Sequence, residues 1–431
     1  MAPQETSEAP EEPDEPERSP RPPAPPDEQP PLPPVPVPRG LNTPANDNDG
    51  RLFTRPFVSL LAMQAAYGFA FSMFYLLPKY LASVGETAAR IGFVMAGFGV
   101  ACLLTIPFLP IIVERWGRKA TLVGANLQLA GAAVVFAVVD RPGLMAVPLR
   151  ASEGVTWTLM FSTATALTAE MAPRERLAQA IGLAGGASLI MSAVAPAIGE
   201  PLADRFGYRS AFLLAALSAV VAAALARRLP IPARAKPVPA SAPCSSRVTV
   251  PSQRGVSPVR IYAVFGVAGL AFSSLFTFLA PYALGHGVHA IRSFFVGYTS
   301  AAIAVRVLGG RMSDRLGHRG VAMAALLTYG CVVASTGLLG PHHLALLGVA
   351  FGLAHGAAFP ALMALLIHAT PPQRRPRALS IANGAMSIGI SAVFPAGVLV
   401  ARLGYPMLFA VVGTVTAAAA ALLGRTRIKR G

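Results

Sequence analysis

The chain has 431 residues, 54% hydrophobic and only 13% charged, with a mean hydropathy of +0.54. Soluble globular chains carry about 25% charged residues, so the composition excludes an ordinary soluble domain and points to a membrane protein. The formal net charge of +16 does not indicate nucleic acid, because the bases form short clusters between apolar runs and no nucleic-acid-binding motif is present.

Residues 1–54 read as an acidic, proline-rich tail. The first 50 hold 11 of the 20 acids and three arginines, and include "PRPPAPPDEQPPLPPVPVP". Such a segment buries too little apolar surface to fold and is expected to be disordered and partly polyproline II. It has no apolar core of a secretory leader, so none is expected.

From Pro56 onward the sequence is a succession of apolar runs of about 18–25 residues, the length that crosses a hydrocarbon core as helix. Twelve are predicted. Six lie at 57–81, 91–113, 120–139, 144–168, 178–202 and 210–229. Six more follow at 259–284, 293–310, 320–339, 344–367, 378–400 and 406–424. The organisation predicted is a six-helix bundle over 55–229, a Pro-, Ser- and Arg-rich linker over 230–256, and a second bundle over 257–431 ending in a short basic tail. Cys102, Cys244 and Cys331 are too scattered for a metal site or a disulfide framework, and no cofactor or metal is expected.

The residues after position 50 carry 33 basic and nine acidic side chains. With the N-terminus placed in the cytoplasm, the cytoplasmic loops and termini hold 24 bases and the outer loops seven. Lysine and arginine favour the cytoplasmic side, so both termini and the linker are expected there. The two halves also repeat at a spacing near 200: "ERWGRK" (114–119) matches "DRLGHR" (314–319), and "RFGYRSAF" (205–212) matches "RLGYPMLF" (402–409). Such a duplication implies two bundles related by an axis along the membrane normal, with a site between them.

Three motifs carry a family resemblance. "GRMSDRLGHR" (310–319) resembles the loop signature between the second and third helices of the major facilitator superfamily, in its second-half copy. Gly310, Asp314, Arg315, Gly317 and Arg319 match it, and the resemblance implies a conformational latch at the cytoplasmic helix ends. The first-half copy (110–119) offers Glu114, Arg115, Gly117 and Arg118, with proline in place of the leading glycine and Glu114 in place of aspartate. "RASEG" is similar to the fourth-helix motif of drug–proton antiporters, with Arg150 and Gly154 matching and Glu153 replacing glutamine. "APAIGE" (195–200) resembles a fifth-helix exporter motif in Pro196 and Gly199, read as a hinge. The resemblance covers about residues 55–425. It implies an all-α fold of twelve transmembrane helices in two six-helix bundles related by pseudo-two-fold symmetry, working by alternating access.

No phosphate-binding loop, nucleophile constellation or metal spacing is present, so an enzyme is not expected and free energy must come from a gradient. Ionisable residues inside spans then carry the functional argument. Arg150 and Glu153 lie at i and i+3 on one face of helix four, near mid-membrane. Trp157 stands about one turn further on, and Gln64 and Tyr67 lie on helix one. His355 in helix ten is a candidate proton relay, and Arg306 in helix eight a candidate substrate or coupling residue. Glu200, near the outer face, reads as a gate or cap.

The function expected is a secondary transporter of a small organic solute in the cytoplasmic (inner) membrane, acting as a monomer by proton-coupled export. Two other readings stay open: symport or facilitated uptake of a sugar, organic acid or amino acid-like solute, and a non-transporting scaffold that presents the proline-rich tail.

Overall fold

The computed structural model describes residues 52–173, 176–231, 256–308, 317–339 and 343–424. Among them there is no strand, and nine helical stretches are long and apolar enough to cross a membrane. The helices, numbered in chain order, are α1 (Arg55–Ser83), α2 (Ala88–Trp116), α3 (Arg118–Val138), α4 (Ala146–Met171), α5 (Leu177–Phe206) and α6 (Tyr208–Arg228). They continue with α7 (Pro258–Gly285), α8 (Arg292–Leu308), α9 (His318–Leu339) and α10 (Leu344–Ala369). The last two, α11 (375–403, with a single turn at Ala392) and α12 (405–422), lie in one helical stretch that Gly404 breaks. All twelve predicted spans have a counterpart within a few residues. The charged α4 and the short α8 are the two that do not stand out by apolarity alone.

Local chemistry sets the ends. Thr54 and Thr87 cap α1 and α2, their hydroxyls accepting the N–H groups of Phe57 and Arg90 at 3.4 and 3.3 Å, the bonds that an N-cap side chain supplies. Proline bends two helices without ending them: a single 3-10 turn interrupts α1 at Phe74–Leu76 before Pro78, and another interrupts α2 at Ile106–Phe108 around Pro107. Glycine makes the sharp reversals. Four of the six Arg-x-Gly sequences, at 115–117, 205–207, 315–317 and 402–404, stand at such places. Their glycines, Gly117, Gly207, Gly317 and Gly404, have φ of 79, 79, 78 and 81° and separate α2 from α3, α5 from α6, α8 from α9 and α11 from α12. For Gly117, Gly207 and Gly404, ψ is 156, 161 and 168°, a region open in practice to glycine alone. The repeat seen in sequence at 200-residue spacing thus places a positive-φ glycine at all four positions, with the same backbone conformation at Gly117, Gly207 and Gly404.

Packing repeats in the same way. Helix α1 packs on α5 and α6, α2 on α4, and α3 on α4 and α6. Adding six to each number gives the second set: α7 packs on α11 and α12, α8 on α10, and α9 on α10 and α12. The two sets meet along α2–α11 and α5–α8, and where the end of α1 touches α7. Missing side chains make the closest approaches. A Cβ on Gly92 of α2 would lie 2.7 Å from the Val393 carbonyl oxygen of α11, and one on Gly348 of α10 would lie 2.2 Å from the Phe294 oxygen of α8. Small residues at helix contacts let backbones approach in membranes.

Candidate functional site: a buried ion pair and a buried gate

Arg150 and Glu153 are buried together on α4, 5% and 0% exposed, and Arg150 Nη1 donates to Glu153 Oε2. The neighbouring helix covers the pair. The guanidinium carbon of Arg150 lies 4.7 Å from the ring centre of Phe98 on α2, within cation–π range. The motif's glycine has a structural reason, because a Cβ on Gly154 would stand 2.3 Å from the Phe98 carbonyl oxygen. Gly154 therefore lets α4 sit tight on α2, which brings Phe98 under the arginine.

The pair is not fully satisfied. Glu153 Oε1, Arg150 Nε and the hydroxyl of Tyr67 are all buried without a hydrogen-bond partner among the described residues. Buried polar groups are normally paired, and these three make the facing sides of α1 and α4 the candidate site. Beside it stands an aromatic cluster in which Trp157 lies 4.7 Å from Phe71 and 6.5 Å from Tyr67, and Phe71 lies 5.8 Å from Phe98. Gln64 is tied to the same helix lower down, its amide donating to Thr168 Oγ1 at 3.5 Å. The structure therefore brings Gln64, Tyr67, Arg150, Glu153 and Trp157 onto the facing sides of α1 and α4.

His355 and Arg306 belong to a different neighbourhood. His355 Nδ1 is 3.3 Å from the Tyr298 hydroxyl, and its ring lies 5.2 Å from Phe272 and 5.8 Å from Phe351. Among the described residues it connects to the first cluster through rings: Tyr298 to Phe276 at 5.5 Å, Phe276 to Tyr75 at 5.1 Å, and Tyr75 to Phe71 at 6.2 Å. Arg306 is exposed in the last turn of α8, facing Gly185 of α5, and has no ion-pair partner among the described residues.

Of the loop-signature residues, Gly310, Asp314 and Arg315 lie outside the described residues. Gly317 forms the positive-φ turn, and Arg319 is half-buried in the first turn of α9. In the first-half copy, Arg115 is exposed at the end of α2 and Gly117 makes the turn. Arg118 pairs with Glu170, joining the start of α3 to the end of α4, and Glu114 lines a cleft beside it. Helix α5 runs unbroken through Pro196. A Cβ on Gly199 would stand 2.1 Å from Met73 Sδ, so that glycine makes room for α1.

One further cluster of buried charges is poorly visible in sequence. Lys79, one of the seven bases expected on the outer side, is 2% exposed, and its Nζ lies 2.6 Å from Glu200 Oε1 and 3.4 Å from Asp204 Oδ1. Glu200, fully buried on α5, also accepts the backbone N–H of Ile291 at 2.8 Å and of Arg292 at 2.7 Å. The carboxylate thus caps the start of α8, as helix N-termini favour, while a lysine from α1 balances its charge. A lysine and a glutamate inside apolar runs were the available signal. Their separation of 121 residues hid the pairing.

The model of the Major Facilitator Superfamily matches residues 57–340 and 282–430. The fold and these matches define a multi-pass membrane transporter, and the chain belongs to the major facilitator superfamily. The chain is similar to multidrug resistance protein MdtG of Dickeya zeae, 27% identical over 307 residues that cover 68% of this chain and 74% of that one. It is 24% identical over 320 residues to the multi-drug resistance efflux pump PmrA of Streptococcus pneumoniae, covering 68% and 76%. An MFS-type transporter of Aspergillus fumigatus is 27% identical over 187 residues, and the match spans only 42% of its length. Among solved structures, the nucleoside transporter NupG aligns with a TM-score of 0.66 at 15% identity, over 86% of this chain and all of that one. A POT family transporter aligns with a TM-score of 0.69 at 12% identity, over 86% and 95%. At those identities the likeness is one of fold. The chain is a transporter and not an enzyme.

Proposed function

We propose that this protein exports a small amphipathic organic compound across a cytoplasmic membrane in exchange for protons, as a monomer with both termini in the cytoplasm. The single observation that carries the reading is Glu153: a fully buried carboxylate with one oxygen held by Arg150 and the other unpartnered. A group that takes up and releases a proton inside a transporter needs an ionisable side chain in the membrane interior with a site left open. The aromatic cluster beside it suits an apolar or aromatic solute, since small-molecule sites combine apolar walls with a few polar groups. The multidrug efflux proteins among the relatives support the direction and the breadth of substrate.

In this reading the segments 55–229 and 257–431 move as two bodies. Glu200 lies toward the outer end of α5, and its bonds to α8 hold the two bodies together on the outer side in the conformation described. Export requires that those bonds break so that the centre opens outward. Proton entry to Glu153 then weakens its hold on Arg150, and the freed guanidinium reorganises the wall that the solute contacts. A pH gradient imposed on vesicles containing the purified protein tests the reading. Accumulation of a fluorescent drug-like probe against its own gradient is expected, and accumulation that ignores the pH gradient contradicts it.

A further inference from the structure

We propose that a cleft between the ends of α2, α3 and α6 binds an anionic phospholipid of the cytoplasmic leaflet. The proposal rests on the orientation given above, which puts these helix ends on the cytoplasmic side. The cleft has a volume of about 870 Å³. Its walls are apolar, with Pro110 and Val113 from α2, Val123 from α3 and Ile231 just beyond α6. Its rim is basic, with Arg118 and Lys119 from the start of α3 and Arg227 from the end of α6.

The charges on that rim are unequal in availability. Arg118 is engaged by Glu170. Lys119 and Arg227 are exposed and have no carboxylate partner among the described residues. Glu114, the acid among the lining residues, already has a partner. Trp116, 62% exposed, completes the edge, and indole rings favour the level where headgroups meet acyl chains.

An apolar trough with two cations unpaired among the described residues at that level fits a molecule with an acyl chain and a phosphate. Basic pockets between helices on the cytoplasmic side attract anionic headgroups. Topology alone requires only basic charge in the loops. It requires neither a cleft assembled by three helices nor an indole at its edge. The chain's own linker is a poor occupant on charge, because residues 232–255 carry four basic side chains and no acid, repeating the sign of the rim.

Native mass spectrometry of the full-length protein in detergent, supplied with equal phosphatidylglycerol and phosphatidylcholine, tests the assignment. Wild type is expected to retain phosphatidylglycerol in preference. In Lys119→Ala/Arg227→Ala that lipid is expected to bind about tenfold or more weakly, the worth of two basic residues at a membrane surface. Equal retention of the two lipids, or an unchanged preference in the double variant, overturns the proposal. Thermal stabilisation by inorganic phosphate as large as that by phosphatidylglycerol identifies a free-anion site and also overturns it. A stability difference between wild type and variant that persists without any lipid or phosphate assigns the cleft to an acidic segment of the chain itself, again against the proposal. Neither substituted residue lies near Arg150 or Glu153 in the helices. A wild type that shows no lipid preference while its pH-driven flux is intact therefore removes this inference alone, and a wild type without flux but with the preference intact removes only the transport reading.

Discussion

Lys79 and Glu200, 121 residues apart in sequence, meet at 2.6 Å in a site closed to solvent. The same carboxylate binds Ile291 N and Arg292 N at the start of α8. One acid therefore joins α1 and α5 of the first half to α8 of the second.

Breaking that pair by removing one partner is costly, because it strands the other charge in the interior, typically by about 3–5 kcal/mol. Glu200→Ala is expected to lower the melting temperature of the purified protein and to expose central positions to thiol reagents from outside. Lys79→Met combined with Glu200→Met is expected to cost less than the two changes separately, since neither charge is then left unpaired. Strict additivity in the melting curves contradicts a direct coupling.

Gly154 is predicted to be intolerant for a steric reason. A Cβ there would stand 2.3 Å from the Phe98 oxygen, and overpacking of this kind costs about 1–3 kcal/mol. Gly182→Ala on α5 serves as the control, because nothing lies within 4 Å of its Cβ position and alanine favours helix. A lower melting temperature is expected for Gly154→Ala only. Equal melting temperatures in the two variants argue against the close α2–α4 contact.

The chain has two tryptophans, and Trp116 is exposed far along α2 while Trp157 stands in the aromatic cluster. In Trp116→Phe, emission comes from Trp157 alone. A transported solute is expected to quench it saturably. Phe71→Ala is expected to weaken the apparent Kd by about threefold to tenfold, in keeping with one lost aromatic pair. Quenching that rises linearly with solute and ignores Phe71→Ala places the solute elsewhere.

The fold was largely legible because bilayer thickness fixes helix length and the chain repeats itself. The Arg-x-Gly turns at 117, 207, 317 and 404 punctuate the helices where the apolar runs pause. Arg150 and Glu153 were legible for a related reason: charge in an apolar span is conspicuous, and a spacing of three puts both on one face. Lys79–Glu200 was not, since pairing across 121 residues depends on which helices are neighbours. Phe98 was missed as well. Its contact with Arg150 arises from the α2–α4 crossing at Gly154, and an isolated phenylalanine in an apolar helix gives no sign of it. His355 was equally conspicuous in sequence, yet its bond is to Tyr298 and not to the ion pair.

The most direct test of the central claim is Glu153→Gln in sealed vesicles, with probe movement driven first by a pH gradient and then by the probe's own gradient. The amide keeps the size of the side chain and removes its titration. Accumulation driven by pH is expected to vanish while exchange down the probe gradient persists. Undiminished pH-driven accumulation in Glu153→Gln contradicts the assignment of proton coupling to this residue.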